Sequence, residues 1–478
     1  MSFFTTFSKK LENLIAAIIF FITFVVYFST MAPTVSFWDT GEFIATSHIL
    51  GVPHPPGSPL FLLVGKLFSL IPLSNDIAFR VNIFSPIISA LTISLLFLIC
   101  NQFIDRLDPN NDNRFFKMWS SLTASLTFAF THSHWFNAVE TEVYAFSGFM
   151  TALVIYLIML WSKKINNSNH IIYLMLISYI IGLATGLHLL NLLTIPFIGL
   201  IIYHTIGKLS AKNLFLTLAL SIIIFFGIQS LIIQGLPQIT LSIGLFGLIC
   251  LVLTLLIISG YCIKKDKALS SMFLSSVLLI IIGYSTYFAI FIRSGQDPNI
   301  DENNPETVAE AISYLNRDQY GQMTILPRKF DNLPSKISIV GSPNNNREFS
   351  FKQEISYMLY DLPSQANFLW NYQIKKMYIR YFLWQFAGKG KSEDPFVANV
   401  GASSNEDGVD WRQFGLPIAF IMGLIGFVYH FRKNKQDAFS LLVLFLMTGL
   451  AIIFYLNQDS PQPRERDYAY VVSFMTFS

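Results

Sequence analysis

The apolar residues of this chain gather in long runs near 11–31, 81–103, 118–133, 143–161, 171–187, 190–206, 213–233, 239–260, 271–292, 415–431 and 438–456. A hydrocarbon core about 30 Å thick takes roughly 20 helical residues to cross. The pattern therefore predicts an all-α polytopic membrane protein with about 11 complete spans. A further run opens in "YAYVVSFMTFS" (468–478) and stops about halfway across. The stretch "SPLFLLVGKLFSLIP" (58–72) is short for a span and carries Lys66, so it reads as an interfacial or re-entrant helix.

Charge gives these runs a direction. With the N-terminus in the cytoplasm, the basic clusters Arg106/Arg114/Lys117, Lys163/Lys164, Lys208/Lys212, Lys264/Lys265/Lys267 and Arg432/Lys433/Lys435 all fall on one side, while the short loops 134–142, 187–190 and 234–238 hold no Lys or Arg. The alternation survives only if 58–72 does not cross. Lys9 and Lys10 before the first run would suit a signal peptide, but the run is longer than the usual h-region and no small-residue cleavage site follows, so it reads as a span. The expected organisation is a catalytic transmembrane module at 1–292 with its first outer loop at 32–80, a non-cytoplasmic segment with interfacial helices at 293–414, and a transmembrane segment at 415–478.

Composition agrees, with 53% hydrophobic and 13% charged residues. A net charge of +3 from scattered bases excludes a nucleic-acid surface. The three cysteines have no close-spaced partners, so neither a disulfide framework nor a zinc knuckle is indicated.

Polar chemistry collects at the non-cytoplasmic ends of the runs. In "VSFWDTGEFIATSHILGVPHPPGSPLF" (35–61), Asp39 and Glu42 are spaced to share a helix face, either as a capping box or as reactive carboxylates. His54 sits in a stretch stiffened by Pro53, Pro55, Pro56 and Pro59. "THSHWFNAVETEVYAF" (131–146) adds His134, Glu140 and Glu142, as ligand-binding groups, as caps of the next helix, or as a metal set of His134, Glu140 and Asp39. His132 and His134 are two apart, so no zinc-protease helix is present. Arg293 reads as a snorkelling anchor at a span end. "FLWNYQIKKMYIRYFLWQF" (368–386) mixes aromatic and basic residues as an interfacial helix does.

The order of a first span, an outer-loop acid, a short helix and then "HPPG" resembles the first outer loop of the GT-C glycosyltransferases, notably the protein O-mannosyltransferases. "WDTGEF" (38–43) followed by "HPPGSPLF" (54–61) more closely resembles a bacterial and animal multi-pass family formerly of unknown function, whose animal members are protein O-mannosyltransferases. "YLNRDQYG" (314–321), "YIRYFLWQFAG" (378–388) and "PQPRERDY" (461–468) are similar to its Bacteroidetes-type branch. The resemblance implies a GT-C-like bundle that moves a mannose-like sugar from a polyprenyl-phosphate donor to a Ser/Thr hydroxyl of an exported protein, on the periplasmic face of a bacterial inner membrane. It implies Asp39 as catalytic base and Glu42 as its orienting partner. His54, His134, Glu140 and Glu142 would touch donor or acceptor, with Arg464 and Arg466 facing the leaving phosphate. No cofactor is demanded, a divalent metal being the alternative. The family's chains continue with more spans, so this chain reads as part of a longer protein. A glycolipid or polysaccharide acceptor is the alternative within the transferases. A lipid or solute transporter is the alternative outside them, and would place its charges inside the bundle rather than at one face.

Overall fold

The computed structural model describes residues 2–107, 113–321, 324–336 and 351–478; residues 322–323 and 337–350 of the expected 293–414 segment lie outside the described residues. The chain is almost entirely helical, with one two-stranded antiparallel sheet, Lys389–Lys391 against Asp407–Val409. The first half runs α1 (Ser2–Thr30), α2 (Thr40–Ile49), α3 (Pro59–Leu70), α4 (Ile77–Asn82), α5 (Phe84–Leu107), α6 (Arg114–Ala129), α7 (His132–Ala138) and α8 (Val143–Lys163). It continues through α9 (Ile171–Thr185), α10 (Ile195–Ile206), α11 (Ala211–Gly227), α12 (Gly235–Lys264), α13 (Ala268–Tyr284), α14 (Phe288–Ser294) and α15 (Val308–Asn316).

All the expected runs are helical, but not all are long enough to span. Seven helical stretches among the described residues are: Lys9–Thr30, Ile77–Leu107, Val143–Lys163, Leu189–Ile206, Ala211–Lys264, Ala268–Ser294 and Lys435–Leu456. At 16, 15 and 16 residues, α6, α9 and the helix Ile418–Lys433 are shorter. At about 1.5 Å per residue they fall short of a 30 Å core. The reason is visible for α6 and α9, whose apolar runs continue into the turns at Phe130–Thr131 and Gly186–His188. Within α12, Gly244 takes φ 72°, a break that a residue without Cβ tolerates.

The two ends of the bundle differ chemically. At one end Lys117 pairs with Glu12 at 2.9 Å and Asp105 at 2.6 Å, while Arg106 reaches the buried Asp437 at 2.7 Å. At the other, Asn82 Nδ2 donates to the carbonyls of Ala32 and Thr34, both at 2.9 Å, and Ala32 N donates to Val139 O at 2.8 Å. Thr141 donates to Asn82 Oδ1. The first loop and the 134–142 loop are thereby laid together. α3 stays at this end: Leu60 N donates to Gly186 O at its start, and Ser69 O near its finish accepts from Arg80 of α4. At 12 residues it is too short to cross a core of about 30 Å.

The aromatic and basic stretch 368–386 differs from its interfacial expectation. Leu369–Ile379 forms a π-helix that continues as Arg380–Phe386, and Met377, Tyr378, Tyr381, Trp384 and Phe386 are buried. The Tyr378 and Tyr381 rings pack on Tyr470, and that of Phe386 on Phe477. Arg380 is wholly buried, 4.7 Å from the Trp384 ring and bonded to Glu465 at 2.7 Å. These aromatics therefore pack against protein.

α9 and α13 form the most intimate helix pair, crossing at Gly182 and Gly283. A Cβ on Gly182 would strike the backbone of Ile280, and one on Gly283 would strike Gly182 and Leu183. Small residues are what allow helices in a membrane to approach this closely. Gly182→Leu is expected to lower stability by about 1–3 kcal/mol through overpacking. Gly227→Ala, whose Cβ meets nothing, is expected to be neutral. Thermal unfolding of both variants in detergent checks this; equal melting temperatures would mean that the crossing is not tight.

Candidate active site

α2 starts at Asp39, whose carbonyl accepts from Phe43 N at 3.0 Å. Its side chain makes no capping bond. Instead Asp39 Oδ2 accepts from Arg464 Nη2 at 3.2 Å. Glu42 does not reach back to the helix start either. Its Oε1 accepts from His54 N at 2.7 Å, and its Oε2 lies 2.6 Å from His54 Nδ1. The capping box is therefore absent, and both carboxylates are turned to tertiary partners. The far end of α2 is closed by cations: Arg293 donates to the carbonyls of Leu50 at 2.7 Å and Ile49 at 3.2 Å, and Lys66 to His48 O at 2.5 Å. Cations suit the negative end of a helix. Arg293 is thus a cap and not a lipid anchor.

The same Arg464 Nη2 donates to Glu142 Oε1 at 3.2 Å. Glu142 is the N-cap of α8 and accepts from Val143 N. Glu140, also buried, accepts from Ser36 Oγ at 3.1 Å. The Arg464 guanidinium lies 5.5 Å from the Trp38 ring and 4.5 Å from that of Tyr468, which packs at a tilt against Tyr144 at 4.4 Å. The side chain of Asp39 is 45% exposed, against 3% for Glu142 and 11% for Arg464. Among the three carboxylates, Asp39 is the one most open to a reactant.

Burial pushes both Glu140 and Glu142 up to about 7, only partly offset by Ser36 and Arg464 for the first and by Arg464 for the second. Arg464 is itself held above its ordinary value: burial opposes its charge, but Tyr468, Glu142 and Asp39 outweigh it. At His54, burial disfavours the proton, yet the bond to Glu42 and the charge of Asp39 win and raise its basicity. Glu42 is lowered, its burial outweighed by the His54 bonds. Glu42 and His54 thus form a hydrogen-bonded, electrostatically coupled pair beside the Asp39 cluster.

Of the residues expected from sequence, the structure brings Asp39, Glu140, Glu142 and Arg464 together and sets the Glu42–His54 pair within electrostatic reach. His134 does not join them. Its ring packs 4.4 Å from Phe128 and 5.9 Å from Tyr27, buried, and burial depresses it to about 3. The set of Asp39, Glu140 and His134 is therefore not assembled, and no group of three metal-ligating side chains occurs among the described residues. Arg466 turns away to Tyr468 Oη at 2.5 Å and Gln462 at 3.1 Å. Trp38, Ser36, Tyr144 and Tyr468 were not singled out by sequence. Trp38 directly precedes Asp39 and Tyr468 follows Arg464 by four, so their proximity in sequence was the available signal.

Residues 39–211 match the family described as the protein O-mannosyl-transferase TMEM260 N-terminal domain, a region holding Asp39, Glu42, His54, Glu140 and Glu142. The chain is related to the protein O-mannosyltransferases. It is 29% identical over 203 residues to protein O-mannosyl-transferase tmem260 of Dictyostelium discoideum, covering 40% of this chain and 23% of that protein. It is 32% identical over 117 residues to protein O-mannosyl-transferase TMEM260 of Mus musculus, covering 24% and 15%. The chain thus matches less than a quarter of the length of either relative. No solved structure shows significant similarity.

The raised carboxyls make stability depend on pH. Between the ordinary carboxylate range and about 7, the folded chain keeps protons that the unfolded chain has lost, so stability falls as pH rises through this window, by up to about 1.4 kcal/mol per unit per group. Glu140→Gln removes one such group and is expected to flatten the fall. Melting temperatures of wild type and variant from pH 5 to 8 would decide it; parallel curves would show that Glu140 is ionised when folded.

Proposed function

We propose that the chain carries the catalytic part of a GT-C-type glycosyltransferase. It moves a mannose-like sugar from a polyprenyl-phosphate donor to Ser or Thr hydroxyls of exported proteins, at the non-cytoplasmic face of a bacterial inner membrane. The observation that carries this reading is the state of Asp39. Its carboxylate stands at a helix start without capping it, is half-exposed, and is fixed by Arg464 at the bundle end opposite the Arg106–Asp437 network.

In this reading the acceptor hydroxyl oxygen attacks the anomeric carbon and its proton passes to Asp39. The bond from that carbon to the phosphate oxygen breaks, and the phosphate leaves with the electron pair. Base and hydroxyl must approach to about 3 Å. Arg464 orients Asp39, while the Glu42–His54 pair lines the adjoining side and the protonated Glu140 or Glu142 offers a donor to a sugar hydroxyl. The exposed apolar residues of the long helices, such as Phe215, Ile223 and Phe226 of α11, suit contact with lipid. The gathering of carboxylates at one end, outside the spans, favours a transferase over a transporter.

Asp39→Asn is expected to lower transfer from polyprenyl-phosphate mannose to a Ser/Thr peptide by about 10²–10⁴-fold while leaving donor binding intact. The assay uses the full chain in nanodiscs, reading peptide mass for transfer and donor retention for binding. Transfer at the wild-type rate would overturn the reading.

A further inference from the structure

The helix Phe351–Met358 is amphipathic, and its polarity is inverted with respect to the protein. Phe351, Ile355, Met358 and Leu359 recur at the i, i+4, i+7, i+8 spacing that gathers side chains on one helix face. Leu359 N donates to Ile355 O at 3.0 Å, so the helical path carries this last residue too. All four are exposed, Phe351 by 83% and Leu359 by 51%. A surface helix of a globular protein turns such a stripe toward the core. Here the polar side meets the protein instead: Lys336 donates to Glu354 at 2.7 Å and lies 5.7 Å from the Tyr357 ring.

Hydrogen bonds through two buried side chains fix where this helix stands on the bundle. Gln365, on the next short helix Leu362–Phe368, donates from Nε2 to Met358 O at 3.1 Å, and its Oε1 accepts from Arg328 N at 2.8 Å. Arg328 in turn donates to the carbonyls of Ile453 at 2.9 Å and Phe454 at 3.2 Å. Those carbonyls belong to the last turn of the candidate span Lys435–Leu456. Cations suit the negative end of a helix, which is why an arginine serves at this junction.

The level reached is the end of a span. Lys435–Leu456 begins beside the Arg106–Asp437 pair, and the loop that follows it carries Arg464 to Asp39. The helix therefore stands at the same end as the acid cluster. Phe454 and Tyr455 are exposed at the close of the span, and Tyr360 and Trp370 are exposed beside the stripe. Tyrosine and tryptophan are enriched where hydrocarbon meets water. Arg328 also donates to Gln373 at 2.8 Å, and Gln373 donates to Gln458 O at 2.6 Å, which joins the helix to the start of the loop bearing Arg464.

We propose that the helix Phe351–Met358 lies along the bilayer surface, with Phe351, Ile355, Met358 and Leu359 against the lipid acyl chains. At eight residues it is far too short to span. Four side chains are also far fewer than the roughly 20–30 residues that each side of a stable protein interface supplies, so a second copy of the chain does not account for the stripe. The apolar surface of the span, in contrast, continues up to it through Phe454 and Tyr455. Glu354 is engaged by Lys336, which leaves Lys352 as the outward charge of the helix, so apolar contact rather than attraction to anionic lipid holds it. The claim concerns lipid contact and does not depend on the transferase reading.

The test places a photoreactive benzoylphenylalanine at single positions of the full chain in phosphatidylcholine vesicles. Adducts are read by intact mass and cross-linked copies by gel. Phe351→benzoylphenylalanine and Leu359→benzoylphenylalanine are expected to form lipid adducts at about half or more of the yield at Phe226 of α11, and Tyr357→benzoylphenylalanine at about a fifth of theirs or less. Cross-linked dimers in place of lipid adducts, or yields at Phe351 and Leu359 no higher than at Tyr357, overturn the proposal. Should these variants aggregate, wild type carries the test. Hydroxyl radicals made in the water phase are expected to oxidise Met358 about tenfold more slowly than free methionine added to the same vesicles, and a difference below about threefold overturns the proposal.

Discussion

One guanidinium ties together the cluster of acids at one end of this protein. Arg464 reaches Asp39 across 425 residues of chain and Glu142 across 322, with a single nitrogen bonded to both. Glu142 is buried, Glu140 is buried beside it, and Asp39 adds a third acid. Such a cluster is tenable only if a cation is present and some of the acids keep their protons. Both conditions are met, and each limits the other: the more protons the cluster holds, the less charge Arg464 must balance. The 457–470 loop is therefore as much a part of the site as the first loop.

The same constraint explains the behaviour of α2. An acid at a helix start ordinarily folds back onto the exposed amides, a local bond available without any tertiary structure. Asp39 and Glu42 both forgo that bond, and the helix is steadied from its other end by Arg293 and Lys66. Its N-terminus is thereby left for long-range partners. A short helix clamped at its C-terminus and open at its N-terminus presents a carboxylate at a fixed place without burying it.

Charge is segregated along the bundle axis. Lys117, Arg106 and Lys163 are tied to Glu12, Asp105 and Asp437 at one end, and the excess of acids lies at the other. Between them the helices meet through apolar side chains and, at Gly182 and Gly283, nearly through their backbones. Polar groups able to do chemistry are thus gathered at the ends of the apolar helices. There a charged group avoids the cost of the hydrocarbon yet is less screened than in bulk water.

By itself the sequence determined the helical class, the place of the long apolar helices and the candidacy of Asp39, Glu42, His54, Glu140, Glu142 and Arg464. Hydrophobic run length and charge alternation are local properties, and a polar group beside an apolar run stands out without knowledge of its neighbours. Only the tertiary structure decided which partners those groups take. It sent Glu42 to His54, moved Arg464 onto Asp39 and Glu142, buried His134 against Phe128 and gave Arg380 to Glu465. Span length also escaped the sequence, because an apolar residue serves equally in a helix or in the turn that ends it. Pairing across hundreds of residues is fixed by packing geometry, and nothing in the local pattern of a chain encodes which distant charge will arrive.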